Sequence, residues 1–112
     1  MMMHKDLTPE RWFKFSIVEQ LANVGSDIIR TIKWKQAGDL DASQKAFWRA
    51  LELIDLTIAD PKNKGPRLRE IVRTREILVD HFAYDNEYNS TDESWQEYFF
   101  AFNYAAALER GR

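Results

Sequence analysis

Arg75 and His81 are the two residues whose types and spacing could do chemistry in this chain. An arginine can offset charge developing on a phosphate, and a histidine exchanges a proton near neutral pH. Together they suit metal-free cleavage of RNA, in which the 2′-hydroxyl attacks its own phosphodiester while the guanidinium stabilises the charge that forms. Six residues correspond to about 600° of helix, so the two side chains stand about 120° apart. Closing both on one small ligand therefore requires a kink or a second copy across a two-fold axis. The other reading is structural. Arg75 shares an apolar stripe with Leu68, Ile71, Leu78 and Phe82, flanked by Val72 and Val79. An unpaired guanidinium is costly there, so it should find a carboxylate. Glu52 or Asp55 on the preceding helix is the expected partner, and Asp80 is a further acid nearby. His81 is in that case a surface residue near Tyr84.

A second grouping is basic. Lys62, Lys64, Arg67, Arg69 and Arg73 cluster in one loop and the helix start that follows it. The cluster reads either as a phosphate-contacting, nucleic-acid-binding patch or as a solvated surface balanced by Glu70 and Glu76. Other chemistries are poorly served. The chain has no cysteine and 2 histidines, which removes disulfides, thiolate metal sites and a histidine-rich metal centre. No metal and no cofactor are expected. There is no Gly-rich phosphate loop and no nucleophile elbow, and no serine has a histidine beside it in sequence. A net charge of −2 argues against a protein that coats nucleic acid non-specifically. The first residues, Met1-Met2-Met3-His4-Lys5-Asp6, lack the apolar core of a signal peptide, and no apolar run is long enough to span a bilayer. A cytoplasmic protein without a membrane partner is expected.

The elements that must position these residues are helical. A chain of 112 residues suits one domain with one core. Residues 1–8 are expected to be a flexible N-terminus, and residues 9–110 a single all-α domain, an antiparallel up-and-down four-helix bundle. Thr8-Pro9-Glu10 predicts the start of a long helix running to Gln36, with Phe13, Ile17, Leu21, Val24, Ile28 and Ile32 as its stripe. Gly25 inside that stripe marks close approach of a neighbour, or else a kink. Gly38 closes the helix, and Asp41 with Gln44 predicts the start of a second one ending near Ala59. Asp60 to Pro66 is a loop, and Pro66 opens a third helix that fades near Tyr84. Ser90-Thr91-Asp92-Glu93 predicts the start of a fourth. That last helix carries Trp95, Phe99, Phe102 and Ala106 on one face, and Tyr98, Phe100 and Tyr104 elsewhere. Surplus apolar surface on the last two helices points to a homodimer or another protein contact.

The run Leu68-Arg69-Glu70-Ile71-Val72-Arg73-Thr74-Arg75-Glu76-Ile77-Leu78-Val79-Asp80-His81-Phe82 resembles the HEPN superfamily, the higher eukaryotes and prokaryotes nucleotide-binding domain. It is most similar to the toxin branch that pairs with minimal nucleotidyltransferase antitoxins. The hairpin from Ile28 to Asp60 is similar to HEPN hairpins too, with Gly38 in its turn. In that branch an arginine is followed, four to six positions later, by a histidine, and then by an aromatic residue. Arg75 matches the arginine, His81 falls within the looser spacing, and Phe82 stands where tyrosine is usual. Glu76 replaces a neutral polar residue, and Asp80 occupies the place of the closest branch's histidine. The resemblance implies a small dimeric helical bundle, RNA or a nucleotide as ligand, and a nucleotidyltransferase as a protein partner. With an acid at position 80 and no tyrosine hydroxyl, the expectation is a non-catalytic interaction module of this ancestry. The alternative is an RNA-binding or nucleotide-binding protein with weak metal-independent ribonuclease activity, Arg75 and His81 being its catalytic residues.

Overall fold

The computed structural model describes residues 7–111. They form five α-helices: α1 (Pro9–Phe13), α2 (Ile17–Gln36), α3 (Leu40–Ala59), α4 (Gly65–Ala83) and α5 (Asp92–Arg110). No strand occurs among the described residues. Of the expected flexible lead, residues 1–6 lie outside the described part. Leu7 packs against the core, and the Thr8 hydroxyl accepts the Arg11 amide to start α1.

The expected helix from Pro9 to Gln36 is two helices, which makes five where four were expected. The break falls at Lys14–Ser16. Ser16 is extended, with ψ 161°, and its hydroxyl accepts the Glu19 amide, so α2 has an N-cap of its own. The sequence signal was Ser16 followed three residues later by Glu19, a capping-box pattern hidden inside an unbroken apolar periodicity. The last carbonyls of α1 are taken by side chains from elsewhere. Gln20 Nε2 donates to Trp12 O at 3.1 Å, and Lys62 Nζ donates to Phe13 O at 2.9 Å.

Those two bonds belong to a buried polar cluster. Gln20, Thr57, Asp60 and Asn63 are all at most 3% exposed. Gln20 Nε2 also donates to Asp60 Oδ2 at 2.8 Å, and Asn63 Nδ2 donates to Gln20 Oε1 and to Thr57 O. Trp12 Nε1 donates to Thr57 Oγ1 at 3.0 Å. Lys62 reaches Asp60 with both its backbone amide and its ammonium group. The cluster ties α1, α2, the end of α3 and the α3–α4 loop together. Every buried group in it has a partner, as buried polar atoms require.

The remaining ends are capped locally. Gly38, at φ 83°, turns α2 into α3, a conformation L side chains adopt at a cost. Asp39, rather than Asp41, is the cap of α3, since its carboxylate accepts the Ala42 amide. Thr91 and Ser94 exchange side-chain bonds with each other's amides at the start of α5.

α2 is the centre of the core, with Val24, Ile28 and Ile32 fully buried. It packs against α3 and α5, and α3 packs against α4. α2 meets α5 at Arg110–Glu19 near one end and at Lys35–Asp92 near the other. α3 meets α4 at Asp55–Arg75 and at Phe47–Phe82. Gly25 marks a close approach of α2 and α5: a Cβ there would lie 2.7 Å from the Cβ of Phe99. α2 is continuous through it. The Phe99 Cβ is fixed to the α5 backbone, so the helices themselves would have to separate. Gly25→Ala should therefore destabilise the fold by about 1–3 kcal/mol through overpacking, although alanine is the better helix former. Thermal and urea unfolding will measure this, and an unchanged or raised midpoint would refute the close packing.

Candidate functional site

α4 carries the residues singled out by their chemistry. It begins after the extended Lys64, with Gly65 at φ 63° and Pro66 in the first turn. Ile71, Thr74 and Leu78 are its buried residues. The face these three define leaves Arg75 on the side of α3 and His81 on the side of α5.

Arg75 Nε donates to Asp55 Oδ1 at 2.8 Å. The pair is partly open to solvent, with side-chain exposures of 37% and 57%. An ion pair so placed contributes up to about 1 kcal/mol. The arginine stem is half-buried, which adds packing that a count of charges omits. Glu52, the other expected partner, lies one turn earlier on α3 and is half-buried. Asp80 does not face Arg75. Its two carboxylate oxygens accept the amides of Glu87 and Tyr88 at 2.9 and 3.1 Å, and its carbonyl accepts those of Tyr84 and Asn86. Asp80 therefore builds the turn that follows α4.

His81 is not a surface residue beside Tyr84. Its side chain is 7% exposed and points between α2 and α5. Nε2 lies 2.8 Å from Asp92 Oδ1. Burial raises the Asp92 carboxyl, but the bonds from His81 and Lys35 outweigh it and hold the group below the ordinary carboxylate range. Asp92 is thus an acceptor, which places the proton of a neutral imidazole on Nε2. Nδ1 is left as a buried nitrogen with no partner. Lys35 Nζ donates to the same Asp92 oxygen at 2.8 Å and stands 5.2 Å from the centre of the Phe82 ring. Phe82 in turn meets His81 edge-on at 4.6 Å and packs on Phe47. The apolar character of position 82 serves this packing.

A second tie joins α4 to α5. Tyr98 donates to Glu70 Oε2 at 2.9 Å and lies 3.3 Å from Thr74 Oγ1. Burial, together with the neighbouring Glu70 carboxylate, pushes the Tyr98 hydroxyl up to about 12.

The basic grouping divides. Lys62 is held by Asp60 and Phe13 O and belongs to the buried cluster's rim. Lys64, Arg67, Arg69 and Arg73 are exposed and make no ion pair with another described residue. No group of acids and histidines among the described residues could hold a metal ion. None of the described helices is long and apolar enough to cross a membrane. Beside the Lys35–Asp92–His81 triad lies a cleft of about 490 Å³, walled by Phe47, Trp48, Phe82 and Tyr84. Sequence reasoning missed Asp92 and Lys35 as partners of His81. Asp92 reads equally well as a helix-start acid, and nothing local announces a neighbour from another helix.

In chemical terms, Arg75 and His81 are each engaged with a carboxylate, on opposite flanks of α4. Neither His81 nitrogen is presented to a solvent-borne phosphodiester. No family model matches the chain, and neither does any curated protein or solved structure with which it was compared.

Asp92 and Asp60 are both more acidic folded than unfolded; in Asp60, burial raises the carboxyl and the bonds from Lys62 and Gln20 more than offset it. The stability each supplies is complete above the ordinary value of 3.8 and is lost as pH falls through the lower folded-state value. Urea unfolding at pH 7 and pH 3 should show a marked loss in acid. Asp92→Asn should lower stability at pH 7 and shrink the pH difference, whereas an unaltered difference would refute Asp92's share in it.

Proposed function

We propose that this chain is a non-catalytic interaction module of HEPN-like ancestry that works as a homodimer, with α2 to α5 as an antiparallel up-and-down four-helix bundle. One observation carries the non-catalytic reading. Arg75 is bonded to Asp55 of α3, while His81 has Nε2 on Asp92 of α5 and Nδ1 buried. A nuclease working by this pair needs a free guanidinium and an accessible imidazole nitrogen on one phosphate. Here the same two residues hold α4 to its neighbours. The bundle topology is supported by the contacts at both ends of the α2–α5 and α3–α4 pairs.

The interaction role rests on α5. Its inner face buries Trp95, Phe99 and Ala106. Directly opposite, at helical spacing, Phe100, Tyr104 and Leu108 are 66%, 60% and 51% exposed. Large apolar side chains in line on the outer face of a helix mark a protein contact more often than chance exposure does. A partner protein, a nucleotidyltransferase in the ancestral arrangement, would lie along this stripe.

Purified protein incubated with single-stranded RNA in EDTA should leave it intact over hours, with Arg75→Ala and His81→Ala no different from wild type. Light scattering at tens of micromolar should return a dimer. Cleavage that both substitutions abolish would overturn the non-catalytic reading, and a monomer would overturn the homodimer.

A further inference from the structure

The outward stripe of α4 has an ordered charge pattern. At about 100° per residue, Arg69, Arg73, Glu76 and Asp80 fall within an arc of roughly 60° on the side away from the core. The basic pair occupies the N-terminal half and the acidic pair the C-terminal half. The pattern continues past both ends. Lys64 precedes the helix and Asp85 follows it, and both are exposed. At the acidic end the surface is concave. An open cleft of about 390 Å³ is lined by Glu76, Asp80, Asp85 and Glu87, with Tyr84 and Tyr88 as its aromatic walls. Asp80 and Glu76 are bonded within the cleft, to the turn amides and to the Tyr88 hydroxyl. Each carboxylate has acceptor capacity left.

A surface that is basic at one end and acidic at the other is complementary to itself after a half-turn. We infer that α4 pairs with α4 of a second copy of this chain, antiparallel, about a two-fold axis passing between Arg73 and Glu76. That axis sets Arg73 of each copy against Glu76 of the other, Arg69 against Asp80, and Lys64 against Asp85. The basic side chains of one copy thereby enter the acidic cleft of the other, twice, as an isologous contact requires. Val72, 47% exposed, lies beside the axis in both copies and supplies apolar contact at the centre. Tyr84, 74% exposed, comes against the Gly65-Pro66 turn. The same pattern disfavours an RNA backbone along the stripe, since Glu76, Asp80 and Asp85 would repel half of it. The inference rests on the homodimer proposed above and assigns its interface to α4, which leaves the α5 stripe for a different partner.

Two charge-reversed chains test it. The first carries Lys64→Glu and Arg73→Glu, and the second Glu76→Lys and Asp85→Lys. All four positions are exposed, so circular dichroism should show both chains folded. Each chain alone meets like charge with like across the axis, and its dimer dissociation constant should rise at least about a hundredfold. Mixed in equal amounts they restore every opposite-charge pair, and sedimentation velocity should recover a dimer with one copy of each. A wild-type dimer whose two variants also dimerise alone overturns this interface while leaving the homodimer standing. A monomeric wild type overturns both. A mixture that stays monomeric overturns the pairing, and so does an unchanged dimer in which the first variant instead loses retention on an RNA column.

Discussion

α4 has the thinnest apolar footing of the four long helices, and polar ties make up the difference. Its buried residues are Ile71, Thr74 and Leu78, against nine on α2. A fully buried isoleucine or leucine contributes about 1.5–3 kcal/mol, so two of them supply only a few kcal/mol toward ordering 19 residues. Ile77, Val79 and Phe82 add half-buried apolar contact, and polar ties come from both flanks. Asp55 of α3 takes Arg75, Asp92 of α5 takes His81, and Tyr98 of α5 takes Glu70 and Thr74. The residues that look most like a catalytic pair are therefore among those that fix this helix.

The two ends of the fold use the same device differently. Near α1, Asp60 is a buried acid that takes donors from two segments, α2 and the α3–α4 loop, and it anchors a cluster with no buried side-chain polar atom left over. Near the α4–α5 turn, Asp92 accepts from Lys35 and His81, and there one nitrogen, His81 Nδ1, is left over. Removing one partner from a buried set of this kind costs more than the pairs contribute together, because the other group stays desolvated. Both acids thus enforce where the helix ends meet.

Much of this was legible in the sequence. The all-helical class, the stripe Val24–Ile28–Ile32, the left-handed Gly38 and the inward face of α5 follow from periodicity and punctuation. Gly25 was readable as a close approach or a kink, and the unbroken α2 with Phe99 set against it decides for the close approach. The break at Lys14–Ser16 was not read, because apolar residues on both sides of it continue one period and the Ser16 cap is a weaker signal. The site was half legible. A charge on the apolar stripe of α4 demanded a carboxylate, and the helix α3 supplies Asp55. His81 was placed on the surface because a position 120° from a stripe is ambiguous until the third neighbouring helix is in place. Asp92 and Lys35 are distant from His81 in sequence, and no rule of spacing joins them. The basic cluster likewise split only in three dimensions, where Lys62 turned inward to Asp60 and the other four stayed outside.

Native-state hydrogen exchange tests the central claim most directly, by comparing the wild-type chain with an Asp55→Asn, Asp92→Asn double variant. These substitutions keep the shape of both side chains and remove the charges that receive Arg75 and His81. If the pair holds α4 in place, α4 amides such as those of Thr74 and Leu78 should lose at least about tenfold in protection, while those of Val24 and Ile28 in α2 change far less. Unaltered protection along α4 would contradict the account and return Arg75 and His81 to the list of residues awaiting a chemical role.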